Sequence, residues 1–316
     1  DTGAGLGIEP SSVRAWVLAA RLKTLPAAVV PVAVGSSCAL VHDGFAWVAT
    51  LAAGLGALWI QVGTNLANDV FDHERGADTP DRLGPPRAVA EGLLSPAQVR
   101  RGMMTAFALA TCCGLYLVSI AGWPVLAIGV ASILAGIGYT GGPYPLAYNA
   151  LGDLFVLLFF GFVAVCGTAF VQLQSVPLLA VWASLPVGVL ATAMLVVNNI
   201  RDADKDETVG KKTLAVVLGR RLSEVQYNTL IALAYLSLAP VASTVGGSGM
   251  EVSQWFSGPS RWLWLPLLTL PHAIRLVSQV HRRSGADLNS TLAGTAQLLL
   301  VFGGLMSLGL VLSTIP

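Results

Sequence analysis

The stretch TNLANDVFDHERGAD, residues 64–78, decides how this chain reads. It puts two Asn, three Asp and a Glu at the end of a long, almost wholly apolar run. Helical residues four apart share a face, so Asn68 lies with Asp72, and Asn65 with Asp69. A second run of the same kind, NNIRDADKDETVGKK at residues 198–212, sets Asn198, Asp202 and Asp206 in one stripe. Like charges at that spacing repel, and at the end of a membrane span they also cost desolvation energy. A divalent cation would offset both. Magnesium suits the residues best. There is no His/Cys cluster for zinc and no EF-hand-like loop for calcium. Magnesium takes one or two carboxylates and completes its shell with water and substrate phosphate oxygens. Two such stripes facing each other can hold two ions around one diphosphate, with Arg87, Arg201, Lys205, Lys211 and Lys212 neutralising the remaining charge. A solvated helix end explains one acidic residue near a span end; two runs of this density, each with Asn one turn before Asp, fit it poorly.

The rest of the chain supplies the apolar setting. Of 316 residues, 54% are hydrophobic and only 11% charged, against roughly 25% charged in a soluble domain. This predicts an all-α integral membrane protein in a single domain over residues 1–316. The net charge of +1 offers no basic surface for nucleic acid. The four cysteines (Cys38, Cys112, Cys113, Cys166) lack metal-ligand spacing and read as buried membrane thiols. A spanning helix needs about 20 mostly apolar residues. Nine candidates fit: 26–42, 46–68, 103–121, 124–140, 150–171, 177–199, 228–246, 262–280 and 291–314. They are twice too long for barrel strands and do not alternate. With nine spans and an internal N-terminus, seventeen of the eighteen Lys and Arg fall on one side and only Arg261 on the other. By the positive-inside rule that side is the cytoplasm, and the C-terminus lies outside.

At these motifs the sequence resembles the UbiA superfamily of intramembrane aromatic prenyltransferases. NLANDVFDHERGADTPDRLGPPRAV (residues 65–89) is similar to the family's first Asp-rich motif and its loop. VNNIRDADKDETVGKKTLAVVLG (197–219) is similar to the second, and YTGGPYPLAYNALGDLFVLLFFG (139–161) to the fourth-to-fifth helix segment. ARLKTLPAAVVPVAVG (20–35) resembles the branch acting on 1,4-dihydroxy-2-naphthoate in menaquinone synthesis. Two departures stand out: Asn68 and Asp72 are followed by Gly76, with Asp78 two residues later, and Arg21-Leu22-Lys23 replaces the frequent Arg-Pro-Lys.

The resemblance implies nine transmembrane helices around a central cavity, in the cytoplasmic membrane of a bacterium, with the site facing the cytoplasm and a lateral opening to membrane lipid. It implies transfer from polyprenyl diphosphate to 1,4-dihydroxy-2-naphthoate, with Mg2+ held by Asp69, Asp72 and Asp78 on one side and by Asp202 and Asp206 on the other. Asn68 and Asn198 would orient waters or phosphate oxygens, and Arg87 and Lys212 would contact the diphosphate. Tyr139, Tyr144 and Tyr148 would turn ring faces to an allylic cation or serve as interface-belt residues. Asp153 would deprotonate an acceptor hydroxyl or cap its helix. Lys23 would pair with the acceptor carboxylate or snorkel to the interface. His73 receives no role. The alternatives are another aromatic acceptor, such as 4-hydroxybenzoate or homogentisate, and, from a different class, a secondary transporter. Transporter sites usually lie near the midplane, whereas the spans here stay apolar until their cytoplasmic ends. The Asp-Gly-x2-Ala-Arg start of the CDP-alcohol phosphotransferases is missing from the sequence.

Overall fold

Apart from one isolated bridge between Asn149 and Lys212, every regular element among the described residues of the computed structural model is a helix. The structure describes residues 7–78, 82–246, 256 and 258–315. α1 (Val13–Ala20) starts where the Ser12 side chain accepts from the Ala15 amide, and ends at Arg21, whose φ of 53° is left-handed. After a single 3-10 turn, α2 (Pro26–Val41) begins with a proline at its first position, where the missing N–H costs nothing. The two pieces meet at a bend of 51°. α3 (Trp47–Glu74) carries the first acidic run into its last turns. α4 (Pro96–Ala121) opens with a capping box made by Ser95 and Gln98, and α5 (Trp123–Gly138) follows. α6 (Gly152–Val156) widens into a π-helical segment, Leu157–Val163, before α7 (Ala164–Leu173). α8 (Leu178–Thr208) ends in the second acidic run. α9 (Leu214–Leu236), α10 (Leu238–Gly246), a 3-10 stretch over Pro259–Thr269, α11 (Leu270–Arg282) and α12 (Leu288–Leu312) complete the bundle.

The outer surface of the bundle is apolar as well as its core. Large apolar side chains such as Trp47, Trp123, Leu134 and Leu236 are exposed, as a lipid-facing surface requires. α8 is the axis. Most of its apolar stretch is buried, and its Val187 and Leu190 share a core with Val34 of α2, Tyr227 of α9 and Phe302 of α12. Glycine lets backbones touch here. A Cβ on Gly161 would lie 2.8 Å from the Gly188 Cα, and one on Gly188 would lie 2.9 Å from the Leu157 carbonyl. A second core of Leu66, Val70, Ala88, Val89, Leu93 and Leu94 clamps the segment after α3 back onto α3 itself.

The expected count of nine spans is corrected. Among the described residues six helices are long and apolar enough to cross a membrane, or seven if the bent pair at α1–α2 counts as one. The spans expected at 124–140 and 262–280 fall short. The first is α5, a helix of 16 residues, about 24 Å at 1.5 Å per residue. The second is split between the 3-10 stretch and α11, with prolines at 266 and 271; proline removes an amide donor and crowds the preceding turn. The reading of all four cysteines as buried is also corrected: Cys38 is buried, but Cys112 is exposed and Cys113 and Cys166 are partly so.

Candidate active site

The two acidic helix ends open onto one cavity of about 840 Å³. Asn68 and Asp72 reach it from α3, and Asn198, Asp202 and Asp206 from α8. Its mouth also takes Arg82, Arg87, Arg201, Lys205 and Lys211. Deeper, the walls become apolar, with Ile60, Leu117, Ile128, Phe155, Phe159 and Val163 among them. Phe155 and Phe159 stack at 5.8 Å between centroids; Phe159 and Val163 belong to the π-helical segment.

The first cluster is built around Asp72, which is buried. Its Oδ2 accepts from Arg87 Nη2 at 2.6 Å, and its Oδ1 accepts from the Tyr148 hydroxyl at 2.9 Å. Arg87 Nε also lies 3.4 Å from Asp78 Oδ1, which accepts from Arg82 Nη1 at 2.7 Å. Burial pushes the Arg87 guanidinium down, but Asp72, Asp78 and Asp69 together outweigh it and hold the group above its ordinary value. Burial raises the Asp78 carboxyl despite the pull of Arg87 and Arg82. Burial and then the Asp72 charge raise the Tyr148 phenol, so it stays a hydrogen-bond donor. Asn68 Oδ1 accepts from the Thr140 hydroxyl at 2.8 Å.

The second cluster turns on Arg201. It gives Nε and Nη2 to the two oxygens of Asp202 at 2.8 and 2.5 Å, Nη2 to Asn198 Oδ1 at 2.9 Å and Nη1 to Asn289 Oδ1 at 2.8 Å. Asp206 Oδ1 lies 3.5 Å from Lys211 Nζ, while its buried Oδ2 has no hydrogen-bond partner and neither does Lys205 Nζ. Arg75 and Lys211 both sit over the Tyr148 ring, at 5.3 and 5.5 Å from its centroid.

Several expected site residues stand elsewhere. Asp69 does not line the cavity. Its two oxygens accept the backbone amides of Ala88 and Val89 at 3.1 and 3.3 Å, so it anchors the turn beside Arg87. Asp78 also lies off the cavity wall, behind the arginines it holds. Lys212 is exposed and its carbonyl accepts the Ala150 amide at 2.8 Å; of this adjacent pair it is Lys211 that lines the cavity. Tyr144 is 64% exposed and off the wall. Tyr139, Asp153 and Lys23 do line the cavity. Asp153 Oδ1 accepts from Gln226 at 3.1 Å, while Oδ2 is buried without a partner. Lys23 is exposed there, beside a residue that the spacing did not single out: Arg21, on the wall with Nη2 buried and unpartnered. Asn289, on the opposite side of the chain in sequence, was likewise outside any motif.

No three His, Cys, Asp or Glu side chains among the described residues converge closely enough to hold a metal ion by themselves. The donors present still fit a hard divalent cation. Asp72, Asp202 and Asp206 offer oxygen only, with no thiolate or imidazole beside them, and Asp206 Oδ2 is an unpartnered acceptor. Such a cation needs few carboxylates when a substrate diphosphate supplies other ligands.

The UbiA prenyltransferase family model matches residues 28–293. The 1,4-dihydroxy-2-naphthoate octaprenyltransferase of Bacillus subtilis is 30% identical over 299 residues, covering 94% of this chain and 92% of that protein. The protein of the same name from Mycobacterium tuberculosis is 34% identical over 295 residues, covering 92% and 95%. Among solved structures, a UbiA homologue from Archaeoglobus fulgidus bound to GPP and Mg2+ superposes with a TM-score of 0.62, at 15% identity, over 93% of this chain and 99% of that one. At that identity the likeness speaks for the fold.

Proposed function

We propose, from the premise that this chain belongs to the UbiA prenyltransferase family, that it transfers a polyprenyl group from polyprenyl diphosphate to 1,4-dihydroxy-2-naphthoate. Diphosphate and carbon dioxide leave, and the product lies on the route to menaquinone. The observation that carries this reading is the division of one cavity into a mouth of paired carboxylates and cations and an apolar interior. That shape suits a substrate with a charged head and a hydrocarbon tail.

Arg87, Arg82 and Lys211 stand at the mouth to receive diphosphate oxygens, with Lys205 as a further, unpartnered cation. Asp72, Asp202 and Asp206 would hold Mg2+, which would supply positive charge to stabilise the leaving diphosphate. Tyr148 and Arg87 fix the Asp72 carboxylate, and Arg201 fixes that of Asp202. Asp69 and Asp78 serve this arrangement through the loop and its arginines. The apolar interior shields the allylic cation from water, and Phe155, Phe159 and Tyr139 can face it. Lys23 and Arg21 meet the acceptor carboxylate, and Asp153 takes the proton of an acceptor hydroxyl during attack and returns it once carbon dioxide has left. Attack by the carboxylate-bearing ring carbon makes that carbon tetrahedral; loss of carbon dioxide then restores aromaticity. Lipid surrounds the bundle, the polyprenyl tail enters laterally, and the mouth faces the cytoplasm of a bacterial cell.

The test is a competition. Purified protein with one polyprenyl diphosphate and Mg2+ is offered 1,4-dihydroxy-2-naphthoate, 4-hydroxybenzoate and homogentisate together. The naphthoate should be consumed first, EDTA should stop turnover, and Mg2+ should restore it. Preference for 4-hydroxybenzoate or homogentisate would move the chain to another branch of the family.

A further inference from the structure

Asn289, in the first turn of α12, joins three parts of the chain that are remote in sequence. Its Nδ2 donates to the Leu83 carbonyl at 2.7 Å, and its Oδ1 accepts from Arg201 Nη1 at 2.8 Å. Leu83 opens the segment that leads to Arg87, and Arg201 holds Asp202. The contact between these two partners is also tight: a Cβ on Gly84 would lie 2.7 Å from Arg201 Nη2. Asn289 lies on the cavity wall, yet neither acidic motif contains it.

We propose that Asn289 is a positioning residue for prenyl diphosphate binding, clasping the loop of Arg82 and Arg87 to the Arg201–Asp202 pair so that the two halves of the mouth keep a fixed separation. An amide suits the post because it donates and accepts at once. Arg201 needs an acceptor and the Leu83 carbonyl needs a donor, and no ionised or apolar side chain provides both. The proposal rests on the prenyltransferase reading for the identity of the anion, and predicts an effect on the diphosphate side alone.

Geranyl S-thiolodiphosphate, which does not ionise readily, is titrated into the purified full-length protein in the presence of Mg2+. Asn289→Ala should weaken its binding about tenfold, the scale of one lost hydrogen bond to a charged group. In steady-state assays the KM for polyprenyl diphosphate should rise by a similar factor, with the KM for the aromatic acceptor unchanged. Asn289→Asp keeps an acceptor for Arg201 but loses the donor to Leu83, and should show the same split; it also carries the test if the alanine variant does not fold. A merely structural role would lower kcat with the folded fraction and leave both KM values and the thiolodiphosphate affinity unchanged, which would overturn the proposal. Because the titration contains no acceptor, failure to prenylate the naphthoate would strike the proposed function and leave this inference standing.

Discussion

Asp69 and Asp72 sit three residues apart on α3 and face different surroundings. Asp72 lines the cavity between Arg87 and Tyr148, while Asp69 accepts two backbone amides behind it. Their substitutions should therefore fail differently. Asp72→Ala and Asp202→Ala should abolish turnover while the protein stays folded in detergent. Asp69→Ala strands two buried amides, each costing about 1–3 kcal/mol, so it should lower Tm. The Mg2+ concentration for half-maximal activity of the surviving Asp69→Ala protein should match wild type. A large rise in that concentration would restore Asp69 as a metal ligand. Tyr148→Phe removes one hydrogen bond to Asp72 and should reduce kcat by about tenfold or less, short of the loss seen for Asp72→Ala. At this scale helical spacing was informative for the cavity-facing stripes but not for Asp69, which it pairs with Asn65 and which lies off the cavity wall. Asn68 with Asp72, and Asn198 with Asp202 and Asp206, do share the cavity. It misled beyond the helix ends. After Gly210, at φ +72°, no period tells which of Lys211 and Lys212 turns inward. Nor does any local pattern bring Asn289 to Arg201, 88 residues away.

The helices themselves were visible as apolar runs, because lipid demands them; their completeness was not. The runs at 124–140 and 262–280 contain enough apolar residues, but α5 stops at Gly138 and Pro266 and Pro271 divide the later run. The π-helical segment had no signature either; within it Gly161 lies against Gly188 of α8. That contact gives a test at this scale. Gly161→Ala would set a methyl 2.8 Å from the Gly188 Cα, against backbone that cannot yield cheaply. Overpacking of this kind costs about 1–3 kcal/mol, so Tm in detergent should fall. Gly114→Ala in α4 meets nothing within 4 Å and should leave Tm unchanged or raise it, a less flexible unfolded chain adding about 0.4–1 kcal/mol of stability. Equal Tm changes in the two variants would refute the account of α8 packing.

Across the whole molecule, charge is concentrated at one end of an apolar bundle. The two acidic helix ends, the arginine-bearing loop and Lys211 after α8 gather at one mouth, the side that the positive-inside rule would give to the cytoplasm. In a background lacking Cys38, Cys112, Cys113 and Cys166, single cysteines placed at Arg221 or Arg282 should resist a membrane-impermeant thiol reagent in intact cells, and react after permeabilisation. Labelling from outside would invert the topology. In the proposed chemistry the mouth ionises a prenyl diphosphate, and the acceptor's own carboxylate is lost as the new carbon–carbon bond is fixed. The direct measurement uses carboxyl-labelled 1,4-dihydroxy-2-naphthoate with polyprenyl diphosphate, Mg2+ and purified protein, following labelled carbon dioxide and prenylated product in the same samples. The account predicts one equivalent of label released for each equivalent of product. A prenylated product that keeps its labelled carboxylate would contradict it.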